Sequence, residues 1–184
     1  MSITLQYRDG PDGPWSTFTL RVGTPSQIVR VLVSTASEDT WVVLPQGCLQ
    51  GDSSCPDARG QLFNPNASST WAQVGYYELF TEQNLGIPGN GLFGNDTLGL
   101  GIQGNGGPTL QNQVVGGIGT QDFYIGMFGV NPKPTNFSGL GAAGQPSFIT
   151  SLRNQSLIPS VSFGYTAGAQ YREFIILKLH RCLT

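Results

Sequence analysis

Ser34 is the residue best placed for nucleophilic chemistry, because it follows the apolar run of residues 28–33 at the end of an expected strand. A serine nucleophile needs a nearby base, which is usually a histidine. The single histidine, His180, lies in a tail whose composition differs from the rest, and only Lys133 and Lys178 could form a Ser–Lys pair. These residue types therefore argue against a serine hydrolase.

The three cysteines, Cys48, Cys55 and Cys182, do not make a zinc site, since such a site needs four ligands and no histidine lies near the first two. No GxxxxGK segment that would cradle a phosphate is present. We therefore expect neither a metal nor a cofactor. Cys48 and Cys55 bracket a loop rich in Gly, Asp and Ser. They form either a small disulfide in an oxidising compartment or two free surface thiols.

The overall composition narrows the function classes. A net charge of −2 and a charged fraction of 11% disfavour nucleic-acid binding. Hydrophobic residues make up 39% of the chain, and its 26 glycines and 12 prolines separate short apolar runs. This pattern is typical of an all-β domain. No stretch of 18 apolar residues occurs, so we expect no membrane span.

Alternating apolar residues predict the elements that must position Ser34. Residues 17–22 and 28–33 are expected to form a hairpin closed by the turn at 23–26. One short helix is expected near residues 145–154, because a proline suits the first turn and apolar residues share a face. Further strands are predicted at 41–44, 91–94, 97–100, 123–129 and 160–165.

Residues 18–43, FTLRVGTPSQIVRVLVSTASEDTWVV, resemble the start of pepsin-like aspartic peptidases. In that family a hairpin with a Gly-Thr-Pro turn leads to Asp-Thr-Gly-Ser and then to a Trp-Val strand. The last matching segment is similar to a divergent fungal branch of the family. The resemblance implies an all-β, closed-barrel-like lobe of the bilobal acid protease fold, with its second lobe absent. Further matches follow in order at 48–55, 63–71, 91–97, 123–129, 146–152 and 157–169.

The resemblance divides the chain into three parts: an N-terminal extension (1–14), the lobe (15–172) and an atypical tail (173–184). The tail is EFIILKLHRCLT, and the last fourteen residues carry a net charge of +2 against −4 for residues 1–170. Such a shift indicates either a foreign segment, from a frameshift or read-through, or an edge strand.

The departures from the family concern the site. Ser34 stands where the family has its first catalytic aspartate, and it is followed by Thr35 and Ala36 in place of Thr and Gly. The family holds one water between two aspartates, one from each lobe, and a serine hydroxyl is too weak a base for that role. No second aspartate motif follows. For the flap over the substrate, we predict Tyr77 with Trp41 as its packing partner, although two ordinary core aromatics fit equally well.

Three functions are compatible with these residues. The leading hypothesis is a catalytically inactive peptidase homologue that is a binding scaffold or a remnant of a longer protein. The alternatives are part of a functional aspartic endopeptidase, or a degenerate pepsin-like binding or inhibitor module. The expected partners are an extended peptide and a second copy, which would meet an exposed apolar patch around Ser34, Met127 and Phe128.

The resemblance implies a disulfide between Cys48 and Cys55, and four sequons favour a secreted or cell-surface glycoprotein. No apolar signal core follows Met1, so we expect a truncated N-terminus. The predicted glycosylation sites are Asn66, Asn95, Asn136 and Asn154.

Overall fold

The computed structural model describes residues 2–4, 6–10, 13–78, 90–101, 107–121, 123–136, 144–166 and 176–178. Its regular secondary structure is mostly β-strand. The strands are β1 (Ser2–Thr4), β2 (Gln6–Gly10), β3 (Gly13–Val22), β4 (Gln27–Ser34), β5 (Trp41–Val43), β6 (Ala72–Glu78), β7 (Asn90–Leu100), β8 (Thr109–Ile118), β9 (Gly126–Gly129), β10 (Gly164–Thr166) and β11 (Ile176–Lys178). The helical elements are α1 (Cys55–Ala58), α2 (Phe148–Asn154) and the 3-10 turns Pro45–Gly47 and Pro65–Ala67.

Six strands close into a barrel in the order β3, β4, β9, β5, β8, β7, because β7 pairs back onto β3. Strand β2 extends the sheet beyond β3, and β6 extends it beyond β7. Most neighbours are antiparallel, but β4–β9 and β5–β8 are parallel. The fold predicted from the sequence, an all-β closed barrel with one short helix of more than a single turn, is confirmed.

The hairpin β3–β4 follows from its sequence. Phe18, Leu20 and Val22 alternate along β3, and their side chains are buried in the main core. The turn at residues 23–26 contains Gly23 with φ +85°, a conformation that favours glycine. The prediction of this hairpin from residues 17–33 is therefore confirmed.

Helix α2 closes one side of the core. The hydroxyl of Ser147 accepts the backbone N–H of Thr150 and so caps the first turn. Phe148 and Leu152 are completely buried, and the Phe148 ring meets Phe128 edge-on at 4.9 Å between centroids. Burial of this apolar face stabilises α2, because a helix of 7 residues is too short to be stable alone in water.

Several boundaries differ from the predictions. Residues 91–94 and 97–100 belong to the single strand β7, since their glycines are accommodated within the sheet and a register shift between Asp96 and Leu98 absorbs the irregularity. Of the strand predicted at 160–165, only Gly164–Thr166 is extended and paired. Strands β6 and β8 were not predicted, because their sequences mix polar residues with glycine.

A second sheet of three strands has the order β1, β11, β10. The segment Ile176–Lys178 of the tail is its central strand and pairs with Ser2–Thr4 on one side and Gly164–Thr166 on the other. In the described residues this part of the tail is thus not an edge strand. The rest of the tail, including His180 and Cys182, lies outside the described residues.

Candidate active site

Ser34 is the last residue of β4 and lies beside Gly129 of the parallel strand β9. Its carbonyl oxygen accepts the N–H of Val130 at 3.0 Å. The side chain of Ser34 is half-buried, whereas those of Thr35 and Ala36 are exposed. The parallel pairing therefore fixes the position at which β4 gives way to the turn of residues 34–37.

The hydroxyl oxygen of Ser34 accepts two backbone N–H groups of its own turn, from Ala36 at 3.3 Å and from Ser37 at 3.1 Å. Backbone donors that converge on one oxygen favour a negative charge there. A carboxylate at position 34 would be stabilised in its ionised form by the same turn. The serine oxygen instead makes two neutral hydrogen bonds.

Hydrogen bonds from the segment after β9 stabilise the turn of residues 34–37. Asn131 donates its backbone N–H to the carbonyl of Ser37 at 3.0 Å and its side-chain amide to the carbonyl of Ala36 at 3.3 Å. The Ser37 hydroxyl donates to the carbonyl of Asp39 at 3.1 Å and accepts the Asp39 N–H at 3.2 Å. The turn is thus held by hydrogen bonds on both its backbone and its side chains.

Asp39 is a buried carboxyl group directly behind this turn, with 4% of its surface exposed. The Thr135 hydroxyl donates to its Oδ1. Burial raises the pKa of Asp39 to about 6, against the lowering effect of the Thr135 bond, and the charge of Glu38 adds to the rise. The sequence analysis did not identify Asp39 as a candidate. The available signal was an acidic residue two positions before β5, a strand whose three residues are all buried.

The close approach of β9 to the turn depends on glycine. A Cβ on Gly129 would lie 2.3 Å from the carbonyl oxygen of Asp39 and 2.7 Å from that of Ser37. A Cβ on Gly126 would lie 2.6 Å from the carbonyl oxygen of Trp41. Because these neighbours are backbone atoms, they cannot move aside cheaply.

Trp41 and Tyr77 belong to one hydrophobic cluster that also contains Phe93 and Phe123, here called the aromatic cluster. Tyr77 lies at its half-exposed edge. The two residues thus share one cluster, and their role at the flap stays a prediction. The Trp41 ring packs on Phe123 with centroids 5.1 Å apart, and the Tyr77 ring meets Phe93 edge-on at 6.2 Å. Trp41 is 1% exposed, and its Nε1 has no hydrogen-bond acceptor among the described residues. The chain after Glu78, predicted as the rest of the flap, lies outside the described residues until Asn90.

Cys48 and Cys55 form a disulfide with Cα atoms 5.8 Å apart, as predicted. The patch expected around Ser34 is not as predicted, since Phe128 is completely buried and Met127 is half-buried. The reason is that the Phe128 side chain points from the barrel strand β9 into the main core, where it packs against Phe148 of α2.

The four sequons differ in accessibility. Asn95 lies within β7, paired on both sides, and its side-chain oxygen is buried without a partner among the described residues. The other three asparagines are exposed: Asn66, Asn136 and Asn154.

The described residues contain neither a metal-binding cluster nor a membrane-spanning helix. Within them, no three His, Cys, Asp or Glu side chains converge in a way that could hold a metal ion. Nor does any helix in the described part of the chain have the length and apolarity to cross a membrane.

Comparison with known proteins gives two findings. Residues 17–167 match the profile of the eukaryotic aspartyl protease family. A stretch of 80 residues is 36% identical to mucorpepsin of Rhizomucor miehei, and it spans 44% of this chain but 17% of that protein.

Proposed function

Because the chain belongs to the eukaryotic aspartyl protease family, we propose that it is a catalytically inactive homologue whose pepsin-like lobe binds extended peptides. Ser34 takes the position of the family's first catalytic aspartate. A divergent fungal origin fits both the sequence of residues 157–169 and the similarity to a fungal protein.

The observation that carries the proposal is the environment of the Ser34 hydroxyl. It accepts the N–H groups of Ala36 and Ser37, which is the arrangement that a carboxylate would use. Removal of a proton from a catalytic water needs a base with a pKa near the working pH. A neutral hydroxyl is not such a base, so the turn retains its shape and loses its acid–base chemistry.

The neighbouring acids do not replace the lost carboxylate. Asp39 is 4% exposed, and its Oδ1 accepts the hydroxyl of Thr135 on the far side of the turn. A buried carboxyl group that is hydrogen-bonded away from solvent cannot reach a water held above Ser34. Glu38 directly follows the turn of residues 34–37, and the hydrogen bonds described for Ser34 join it to Ala36, Ser37 and Val130.

Peptide binding is supported by the elements beside the turn. Strand β6 is the last described strand at its end of the sheet, and Tyr77 of this strand packs on the aromatic cluster with Trp41. An edge strand can bind an extended peptide through main-chain hydrogen bonds, while side-chain pockets supply selectivity. The disulfide and the exposed sequons support a secreted or cell-surface location.

A titration with a pepsin-type transition-state peptide tests the binding part. We expect saturable binding, with amide NMR shifts at residues 34–37 and at Tyr77, and recovery of any added substrate peptide intact by mass spectrometry. Tyr77→Ala should weaken binding about tenfold or more, since a buried aromatic contact is lost. Tyr76→Ala removes a ring that is 73% exposed on the same strand and should leave the affinity unchanged.

Two results would overturn the proposal. Cleavage of the substrate peptide would replace it with a functional endopeptidase. Failure of the peptide to saturate, or equal effects of the two tyrosine substitutions, would remove the peptide-binding role.

A further inference from the structure

A pocket of about 340 Å³ lies beside the disulfide, away from the Ser34 turn. Its wall includes Cys55 of the disulfide together with Leu49, Arg59 and Tyr124. Volumes of this size are at the lower end of the range of small-ligand pockets. No lining residue belongs to the Ser34 turn or to the aromatic cluster of Trp41 and Tyr77.

Arg59 supplies a buried positive charge to this pocket, since only 4% of its surface is exposed. Its guanidinium donates to four backbone carbonyls, those of Gly47, Tyr124, Thr120 and Phe123. These four bonds leave one Nη1–H without an acceptor among the described residues. Carbonyl oxygens carry only partial charge, so the cation is held in place but not neutralised.

No carboxylate of the described residues forms an ion pair with Arg59. The ion pair among these residues joins Arg30 to Asp57. Burial lowers the pKa of Arg59, with the Tyr124 phenol acting in the opposite sense, and an arginine remains charged under such conditions. Asp52 lies at the pocket, but its Oδ1 accepts the N–H and hydroxyl of Ser54 and the N–H of Cys55. These three bonds hold Oδ1 of Asp52 on its own loop.

The other wall is apolar and open to solvent. Leu49 is 69% exposed and Tyr124 is 46% exposed, and both are among the most exposed large hydrophobic side chains of the described residues. A fixed cation that has no ion-pair partner among the described residues, beside exposed apolar groups, is complementary to a ligand that joins a carboxylate to an apolar side chain. The four carbonyl acceptors fix the position of the cation, and Gly47 leaves room for it, since a Cβ there would lie 2.5 Å from Nη1 of Arg59.

We propose that this pocket is a second peptide-binding site, which takes a peptide carboxylate adjacent to an apolar side chain. The carboxylate accepts the remaining Nη1–H of Arg59 in a charge-assisted hydrogen bond, and the apolar side chain packs between Leu49 and Tyr124. The carboxylate can come from a chain end or from an acidic side chain, and both present the same chemistry.

NMR titration of the ¹⁵N-labelled chain with N-acetyl-leucine tests this site, with N-acetyl-leucinamide as the uncharged control. We expect saturable shifts at the Arg59 Nε–H and at the amides of Leu49 and Tyr124, and at least about tenfold weaker binding of the amide. An acetylated leucyl-aspartyl amide, which carries its carboxylate on a side chain, separates the two sources. Whichever of the two carboxylates binds more tightly identifies the source.

Two further substitutions test the pocket without replacing Arg59, whose four hydrogen bonds also hold the fold together. Leu49→Ala and Tyr124→Ala should each weaken N-acetyl-leucine binding about threefold to tenfold, because they remove exposed apolar contacts. Ile28→Ala, at another exposed hydrophobic residue, should leave binding unchanged. Equal binding of acid and amide, no saturable shift, or insensitivity to both pocket substitutions would overturn the proposal.

Discussion

At the scale of single residues, the turn after β4 and the residue behind it place two polar side chains in contrasting environments. Ser34 accepts backbone N–H groups at the half-buried end of the strand, where a carboxylate would be stabilised. Asp39 is buried behind the turn, where burial raises its pKa to about 6. If Ser34 occupies the family's catalytic position, as we propose, that position lacks a titratable group, while the nearby carboxyl group of Asp39 is buried.

Asp39 should make the protein less stable as pH rises. Its pKa is about 6 in the folded chain, against the ordinary aspartate value of 3.8 that applies to the unfolded chain. The folded state therefore holds the proton more tightly, so the contribution is full below about pH 4 and is lost as pH rises through about 6. A shift of this size corresponds to about 3 kcal/mol of unfolding free energy. Urea unfolding between about pH 4 and 7 should show this decline.

Asp39→Asn is the matched variant for that prediction. The amide oxygen can still accept the Thr135 hydroxyl, but the side chain no longer titrates. We expect the decline between about pH 4 and 7 to flatten by about 3 kcal/mol. An unchanged slope in Asp39→Asn would show that Asp39 does not titrate in this range.

At the scale of elements, the site depends on how closely β9 approaches the turn. Gly129→Ala would place a Cβ against the carbonyl oxygens of Asp39 and Ser37. We expect it to destabilise the fold by about 3 kcal/mol, as overpacking against backbone does. Gly119→Ala, whose nearest neighbour would be the Gln46 Cβ at 3.3 Å, should cost less than about 1 kcal/mol. Equal unfolding midpoints for the two variants would contradict this account of the site.

The sequence predicted the elements whose residues are close together in the chain. The β3–β4 hairpin follows from alternating Phe18, Leu20 and Val22, and α2 follows from its cap and apolar face. The contacts that complete the site are different, since Thr135 is 96 residues from Asp39. Such a pair depends on barrel closure and has no local signal. Strand β7 was divided in two because glycine usually interrupts strands.

At the scale of the whole molecule, the pairing of strands in the sheet decides which sequons face solvent. Asn66, Asn136 and Asn154 are exposed, whereas Asn95 is paired on both sides within β7. In protein made through a eukaryotic secretory pathway, we expect glycans on the three exposed asparagines and little or none on Asn95. Glycopeptide mass spectrometry measures each site. Full occupancy at Asn95 alone would contradict the accessibility argument.

The central claim is that a serine at position 34 abolishes peptidase chemistry in this lobe. Its most direct test is cleavage of an unfolded protein substrate between about pH 3 and 7, the range in which an aspartate pair would titrate, with wild type and Ser34→Ala assayed side by side. We predict no products above background from either protein, because acid–base participation contributes about 10²–10⁴ to the rate. Cleavage by wild type that a pepsin-type inhibitor blocks and that Ser34→Ala loses would contradict the claim.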